Sequence, residues 1–246
     1  MQSPENYHQL CRLLGRLKGN YQLSELVRSE GYTRWIELAA NFSIDSIRQW
    51  QWSSNSVHYI LQLWGSLVTA LPYVKADANG NSNTLLEKYI PLVVQAYVQS
   101  RLDSVEAIMR DQSMDNPLDD EGLLQDQMER LPKICRYKYE EVGRYLQSQM
   151  DPLLQAYQDA HQGSNPQILM AIEWKLSWLI YITGSIVGSH SSMTSYLPVQ
   201  EGCELVDSTL CMRIFMLLQG ITQLLVDSAG QKRGSVHLEL SLLYFC

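Results

Sequence analysis

The amino-acid sequence predicts an all-α fold in which antiparallel helix pairs of the HEAT type stack into an α-solenoid. Apolar residues recur at helical spacing along nearly the whole chain, whereas strand signals are weak because β-branched runs are short. The helix pairs begin about every 40 to 50 residues, which is the period of HEAT repeats. A globular helical bundle is the alternative, and the repeat period favours the solenoid.

The composition is that of a folded protein with an acidic balance. The chain has 246 residues, of which 46% are apolar, and carries 19 Lys and Arg against 26 Asp and Glu, a net charge of -7. This apolar fraction excludes disorder across the whole chain. The acidic balance argues against binding to nucleic acid or to anionic membrane, both of which require concentrated Lys and Arg. Protein partners with basic patches are therefore expected.

Cysteine usage and hydropathy predict an intracellular protein without membrane insertion. The five cysteines are odd in number and show no Cys-x-x-Cys spacing, which is typical of a reducing compartment. The N-terminal residues lack the basic and apolar segments of a signal peptide. The most hydrophobic window, 168–187, is interrupted by Glu173 and Lys175 and falls short of the roughly 20 apolar residues that span a bilayer. We therefore expect a buried core helix there.

Cap residues, prolines and glycines mark where the predicted helices begin and end. Ser3-Pro4 and Asn165-Pro166 are cap and first-turn signatures. Gly19 and Pro72 each end an apolar stripe, and a short apolar turn is expected at 23–27. The spacing predicts helices over about 4–18, 33–50, 56–71, 84–109, 123–134, 139–161, 166–187, 205–225 and 236–246.

One of these helices is predicted to be more buried than the rest. Apolar residues cover nearly the whole circumference between Leu176 and Val187, so that segment has no face suited to water. The expected organisation is one HEAT-repeat solenoid segment over 1–246, with a loop at 76–83, an acidic linker at 111–121 and a polar loop at 189–202.

The linker at 111–121 carries the only concentrated charge in the sequence, with five carboxylates and no base. Such a segment attracts Lys- and Arg-rich protein surfaces and makes their encounter sensitive to salt. A solvated loop is the alternative. Part of the cluster is also expected to cap the helix that begins near Leu123. The candidate protein-contact residues are Asp111, Asp115, Asp119, Asp120 and Glu121.

The sequence contains no complete metal, nucleophile or phosphate site. His8 and Cys11 are spaced as neighbours on one helix, but zinc takes four ligands. A cysteine nucleophile needs a positioned histidine and an electropositive surrounding, whereas the cysteines other than Cys246 lie in core-like stripes. The glycines at 184 and 188 lack the preceding strand of a phosphate loop. No catalytic residue, metal ligand or cofactor is predicted. The histidines without a local partner are His58, His161, His190 and His237.

The aromatic residues are expected to fill the grooves between helices. The 6 Trp and 14 Tyr fall mostly on or beside the apolar stripes. A base-stacking surface for single-stranded nucleic acid is the alternative, but such a surface pairs its rings with basic residues. Packing is therefore the favoured role.

Six sequence blocks along the chain match those of a known protein family. They are ENYHQLCRLLGRLKGNYQL from Glu5, NSVHYILQLW from Asn55, LPYVKA from Leu71, SRLDSVEAIMRD from Ser100, DNPLDDEGLLQ from Asp115 and WLIYITGSIVG from Trp178. In this order they resemble the exportin-seven (Ran-binding protein sixteen) branch of the importin-beta superfamily of nuclear transport receptors. The resemblance covers nearly the full chain and is loosest at 76–83 and 189–202. None of the blocks is a catalytic motif.

The resemblance implies a nuclear export receptor rather than an enzyme. Receptors of this family bind protein cargo and the GTP-bound small GTPase Ran, contact nuclear pore proteins, and shuttle between nucleus and cytoplasm. Family members are several times longer, so the chain is expected to be an interior segment truncated at both ends. No Ran-contact residue is transferred to a position in this sequence.

Two other function classes stay open from the sequence. A HEAT-like scaffold that holds a multiprotein complex together without any transport role needs the same extended helical surface. An enzyme would require a polar pocket that converges on His8, on His58 or on a cysteine of low pKa.

Overall fold

The computed structural model describes residues 3–74, 84–160, 165–188, 202–227 and 235–246. Every regular element in these ranges is helical, which confirms the predicted all-α class. The helices are α1 (Pro4–Asn20), α2 (Leu23–Leu26), α3 (Tyr32–Arg48), α4 (Trp50–Ser53), α5 (Val57–Thr69), α6 (Leu86–Arg110), α7 (Glu121–Met128), α8 (Leu131–Cys135), α9 (Tyr139–Ala160), α10 (Pro166–Gly188), α11 (Cys203–Asp227) and α12 (Val236–Phe245).

The observed helices follow the predicted ones closely, and they differ where a single residue interrupts a stripe. The pattern predicted over 33–50 is divided because Gln49 leaves the helical region at φ -89° and ψ 52°, so α3 ends and α4 begins. The apolar turn at 23–27 contains the four-residue helix α2. The loops predicted at 76–83 and 189–202 lie outside the described residues, apart from Gly202, as do His161 and His190.

The long helices contact one another in two rows. Along one row α3 packs on α6, α6 on α10, and α10 on α12. Along the other, α1 packs on α5 and α5 on α8, and the row continues through α9 to α11. Helices of opposite rows also contact each other, as α9 does with α6 and α10, which is the arrangement of stacked helix pairs.

Helix α10 lies where the two rows meet. It contacts α6, α8, α9 and α12, and it is buried around most of its circumference. The prediction of a buried core helix is confirmed for the central turns at 176–187. The prediction that α10 is more buried than the rest is wrong, because the buried residues of α6 also lie around most of its circumference. Its fully buried apolar residues are Leu176, Trp178, Leu179, Ile180, Ile182 and Ile186.

Buried side-chain hydrogen bonds connect neighbouring helices and fix their positions along one another. Trp64 Nε1 donates to Ser43 Oγ at 2.9 Å, which joins α5 to α3. Ser100 Oγ donates to the Ile47 carbonyl at 2.6 Å, which joins α6 to α3. Because an unpaired polar group at such a depth destabilises the fold, these bonds select one register between the helices.

Ion pairs and hydrogen bonds hold α11 against α9 and against the residues just before α9. The Arg213 guanidinium pairs with both carboxylate oxygens of Asp151, with Nη2 and Oδ2 3.0 Å apart. Asp207 accepts hydrogen bonds from the Tyr139 hydroxyl and from Arg136, whose Nε also donates to the Ile186 carbonyl at 3.0 Å. The Arg136 side chain thus contacts α10 and α11 at once.

Helix α11 presents an apolar face to the surface. Its segment Cys203–Gln223 is long and apolar enough to cross a membrane by length and composition, a test that the core helices of many soluble proteins also pass. The expectation of no membrane insertion stays a prediction. The exposed apolar residues of α11 include Leu205, Met212, Phe215, Met216 and Val226.

The contact between α9 and α11 depends on the absence of a side chain at Gly143. A Cβ atom there would lie 2.4 Å from Val206 Cγ1, well inside van der Waals contact, and the β-branched valine has little freedom to move. Gly220, in α11, has open space around it.

Gly143→Ala should therefore destabilise the protein although alanine favours helix. Overpacking costs typically 1–3 kcal/mol, more than the gain of about 1 kcal/mol in helix propensity. Gly220→Ala is the matched control and should stabilise by up to about 1 kcal/mol. Urea unfolding of both variants measures the difference, and an equal gain at both positions would contradict the close approach of α9 and α11.

Glu173 links α10 to the start of α12. Its side chain is buried, and Oε2 accepts a hydrogen bond at 3.0 Å from the backbone N–H of Ser235, the residue that caps α12. Oε1 has no hydrogen-bond partner among the described residues. Burial raises the pKa of this carboxyl, so its ionised form is disfavoured in the folded state.

Glu173→Gln should raise stability at neutral pH and change little near pH 4. The raised folded-state pKa means that stability is lost as pH rises from the unfolded pKa through the folded one, and glutamine removes that loss, on the order of 1 kcal/mol per pKa unit.

Glu106→Gln is the control, because its effect on stability at neutral pH should have the opposite sign. The hydrogen bond from Lys175, 2.7 Å away, lowers the pKa of Glu106, so its contribution is present at neutral pH and lost on acidification. The pair is partly exposed, and its loss should cost only about 0.2–1 kcal/mol. Thermal melts between pH 4 and pH 8 compare the two variants. If the two substitutions change the melting temperature with the same pH dependence, burial does not disfavour the ionised form of Glu173.

Candidate functional site

Residues 111–121, hereafter the acidic segment, connect α6 to α7 through two turns. The Asp119 N–H donates to the Asn116 carbonyl at 2.9 Å, and the Leu118 N–H donates to Asn116 Oδ1 at 3.1 Å. Leu118 is buried in the hydrophobic core. The segment is therefore anchored at its centre, while all five of its carboxylate side chains are exposed.

Two of the carboxylates order the ends of the segment. Asp120 Oδ1 accepts a hydrogen bond from the Leu123 N–H at 2.9 Å and caps α7, so the expected capping role is confirmed. The helix begins at Glu121, two residues earlier than predicted. At the other end, Asp111 accepts hydrogen bonds from the Ser113 hydroxyl and N–H, which lower the pKa of that carboxyl.

His237 connects the acidic segment to α12. Its Nε2 lies 3.3 Å from Asp119 Oδ1 and 3.4 Å from Asn116 Nδ2. The imidazole ring meets Trp174 edge to face, with centroids 5.4 Å apart. Sequence reasoning missed this contact because His237 is more than 100 residues from the segment and has no local partner in the sequence.

A groove of about 890 Å³, hereafter the acidic groove, lies between the acidic segment, the end of α6 and α10. Its apolar lining includes Trp174 and three methionines, whose flexible side chains adapt to partners of different shape. Four of the five predicted contact residues line it, whereas Asp111 does not. The acidic lining residues are Asp115, Asp119, Asp120 and Glu121, and the methionines are Met109, Met114 and Met170.

A second groove, of about 1070 Å³, is more apolar and lies between α7, α10 and α12. Leu124, Met128 and Tyr181 line one part of it. Asp119 and Glu121 line both grooves, so their carboxylates stand on a shared edge between two apolar surfaces. A Lys- or Arg-rich segment with apolar neighbours has the chemistry complementary to this edge.

The other candidate side chains do not converge on a site. His8 Nδ1 lies 3.1 Å from Ser56 Oγ, and burial raises the pKa of the Cys11 thiol on the same helix. Burial lowers the pKa of His58 and raises that of Cys135, which disfavours the thiolate form of a nucleophile. Across the described ranges there is no group of three or more metal-binding side chains.

The tryptophans mostly fill space between helices, as expected. Trp64 and Trp178 are fully buried, and Trp50 is nearly so. Trp52 is partly exposed and packs on Tyr7, with ring centroids 4.1 Å apart. Trp174 differs from these because it also lines the acidic groove.

Comparison with known proteins identifies close relatives. The family model described as "Exportin-7-like, TPR domain" matches residues 104–246. The chain is 41% identical to Exportin-7-B of Xenopus laevis over its whole length, and 37% and 38% identical to Ran-binding protein 17 of Homo sapiens and Ran-binding protein 16 of Drosophila melanogaster. In each case it spans 21% of the relative's length. No solved structure matches the chain.

These matches confirm the family that the sequence blocks resembled. The relatives are named exportins and Ran-binding proteins, and none of these names is that of an enzyme. The matched model describes a tetratricopeptide-type domain, which is also built from stacked helix pairs and agrees with the two rows seen here. The chain belongs to the exportin-7-like family.

Proposed function

We propose that this chain is a segment of a nuclear export receptor and that its acidic groove contacts basic surfaces of protein cargo. Family membership supports the receptor role, because relatives that match the full chain are named exportins. The observation that carries the groove's role is the line of four exposed carboxylates beside a floor of methionines and Trp174.

The electrostatics of the groove suit a cationic partner. The chain has a net charge of -7, and the groove concentrates part of that charge at one place. Exposed carboxylates accelerate the approach of basic partners and lose this effect at high salt, since the Debye length falls from about 10 Å at 0.1 M to 3 Å at 1 M. The apolar floor supplies contact area that does not depend on salt.

The wider transport cycle is proposed for a longer receptor protein that contains this segment. Binding of Ran-GTP, contact with nuclear pore proteins and shuttling between nucleus and cytoplasm are proposed because relatives carry the names exportin and Ran-binding protein. The alternative is a helical scaffold without transport, which would use the same stacked rows as a static platform.

The groove is tested with the double substitution Asp119→Asn and Asp120→Asn. Asparagine caps a helix as well as aspartate does, so the variant keeps the start of α7 and loses only charge. Affinity for a Lys- and Arg-rich cargo protein, measured by isothermal titration, should fall roughly 3–10-fold at 0.1 M salt and converge with the wild type at 0.5 M.

The matched control is the double substitution Asp103→Asn and Asp159→Asn, two residues that each accept a hydrogen bond from a glutamine four positions earlier. Both side chains are exposed, and the control removes the same charge outside the acidic groove. Its cargo affinity should stay close to that of the wild type. Equal effects of the two double variants, or unchanged affinity and salt dependence in the first, would dismiss the groove as a cargo contact.

The receptor and scaffold roles differ in their response to Ran. A fluorescent form of the longer protein should cross the nuclear pores of permeabilised cells, and its retention of cargo should depend on the nucleotide bound to Ran. A protein that neither crosses nor responds to the nucleotide would be a scaffold. Passage through the pore does not depend on the acidic groove, so that readout separates the transport role from the cargo contact.

A further inference from the structure

The most unusual side chain in the structure is Arg101, a cation buried in the middle of α6. It is 1% exposed, and its guanidinium carbon lies 5.1 Å from the ring centroid of Tyr97 and 5.5 Å from that of Trp178. Its Nε and Nη2 atoms have no hydrogen-bond partner among the described residues. Buried charges in proteins are nearly always paired, because desolvation without a partner is costly.

Arg101 lines a cavity of about 500 Å³, hereafter the Arg101 cavity, which is separate from the acidic groove but shares the acidic segment as a wall. The volume lies within the range of about 300–1,000 Å³ that small ligands and peptide segments occupy. Other parts of the wall come from Trp50, Asn55 and Gln127. A buried cation with two donor atoms that lack acceptors among the described residues thus adjoins a space large enough for a ligand.

We propose that the Arg101 cavity binds a carboxylate presented by a peptide segment, either its free C-terminus or an Asp or Glu side chain. Nε and Nη2 lie on one edge of the planar guanidinium, and that edge pairs with the two oxygens of a carboxylate through parallel hydrogen bonds. Both atoms are shielded from solvent, so binding includes a turn of the Arg101 side chain towards the cavity.

The cavity wall favours a carboxylate over a phosphate group. Asp115 and Asp120 line the same space, and their charges repel a dianion more strongly than a monoanion. The same two carboxylates suit a Lys or Arg next to the bound group. Asn55 offers an exposed amide group to a peptide backbone, whereas Gln127 Oε1 already accepts a hydrogen bond from the Tyr97 hydroxyl at 2.8 Å. The occupant that fits is a peptide with a carboxylate and a neighbouring basic residue.

An internal partner for Arg101 is the competing explanation. Asp120 is engaged as the cap of α7, which leaves Asp115 as the other carboxylate in the cavity wall. If Asp115 were the partner of Arg101, the two residues would depend on each other for stability, and their single substitutions would not be additive.

The probe is the peptide acetyl-Gly-Lys-Ala with a free C-terminal carboxylate. Titration into the 246-residue chain should give saturable binding and raise the unfolding temperature. Arg101→Met should weaken binding at least tenfold, because methionine keeps the bulk of the side chain without its donors. Arg110→Met is the matched control, since it removes an exposed charge from the same helix and should bind like the wild type.

Three further probes distinguish the source of the carboxylate. The C-terminal amide of the same peptide should not bind. Acetyl-Gly-Lys-Glu-amide, which carries only a side-chain carboxylate, binds if the cavity accepts Asp or Glu, and its failure assigns the site to chain termini. Inorganic phosphate at the same concentration should neither bind nor compete.

The proposal is overturned if the acid and the amide bind equally, or if Arg101→Met binds the acid as the wild type does. Arg101→Lys keeps the positive charge but lacks the planar set of guanidinium donors, so it should bind the acid peptide at least several-fold more weakly than the wild type. This variant replaces Arg101→Met in the test if the methionine variant does not fold. A loss of stability in Asp115→Asn that is not additive with that of the Arg101 variant would show an internal ion pair and also overturn the proposal. None of these results depends on the transport role.

Discussion

The burial of α10 on nearly all sides is the constraint on which the rest of the structure depends. Its central turns have no polar face, so the helix is stable only when α6, α8, α9 and α12 cover it. This packing determines which neighbouring element each side chain of α10 contacts. Trp174 reaches the acidic groove, Glu173 meets the start of α12, and Trp178 lies beside Arg101. The grooves are therefore a consequence of how the two rows enclose one helix.

The acidic segment shows how a charged loop gains a defined shape without a regular element of its own. Leu118 anchors it in the core, Asp120 caps α7, and His237 contacts it from α12. These contacts leave carboxylates exposed but hold their positions. Ordered charges lose less conformational entropy on binding than those of a flexible loop, which favours recognition of a partner.

The acidic segment lines both the acidic groove and the Arg101 cavity, which differ in their electrostatics. The acidic groove is lined by exposed carboxylates and apolar side chains, whereas the Arg101 cavity is lined by a buried cation together with Asp115 and Asp120. A buried unpaired charge weakens a fold, and a protein that needed only packing at this position would be served better by an apolar side chain. Cation–π contacts with Tyr97 and Trp178 offset part of that cost, but they satisfy none of the guanidinium hydrogens.

The sequence by itself determined where the helices lie, because local signals such as Pro4 and Pro166 mark their first turns. The apolar residues of α10 likewise predicted that its central turns are buried. It also located the acidic segment, whose charge is a matter of composition. Only the tertiary structure decided that His237 meets Asp119 and that Met170 and Trp174 line a groove beside these carboxylates. Arg101 is the clearest case. Charged residues usually lie at the surface, whereas Arg101 in SRLDSVEAIMRD is buried beside Trp178, which is 77 positions away in the chain. Such contacts join residues far apart in the chain, and packing between helices decides them rather than local propensity.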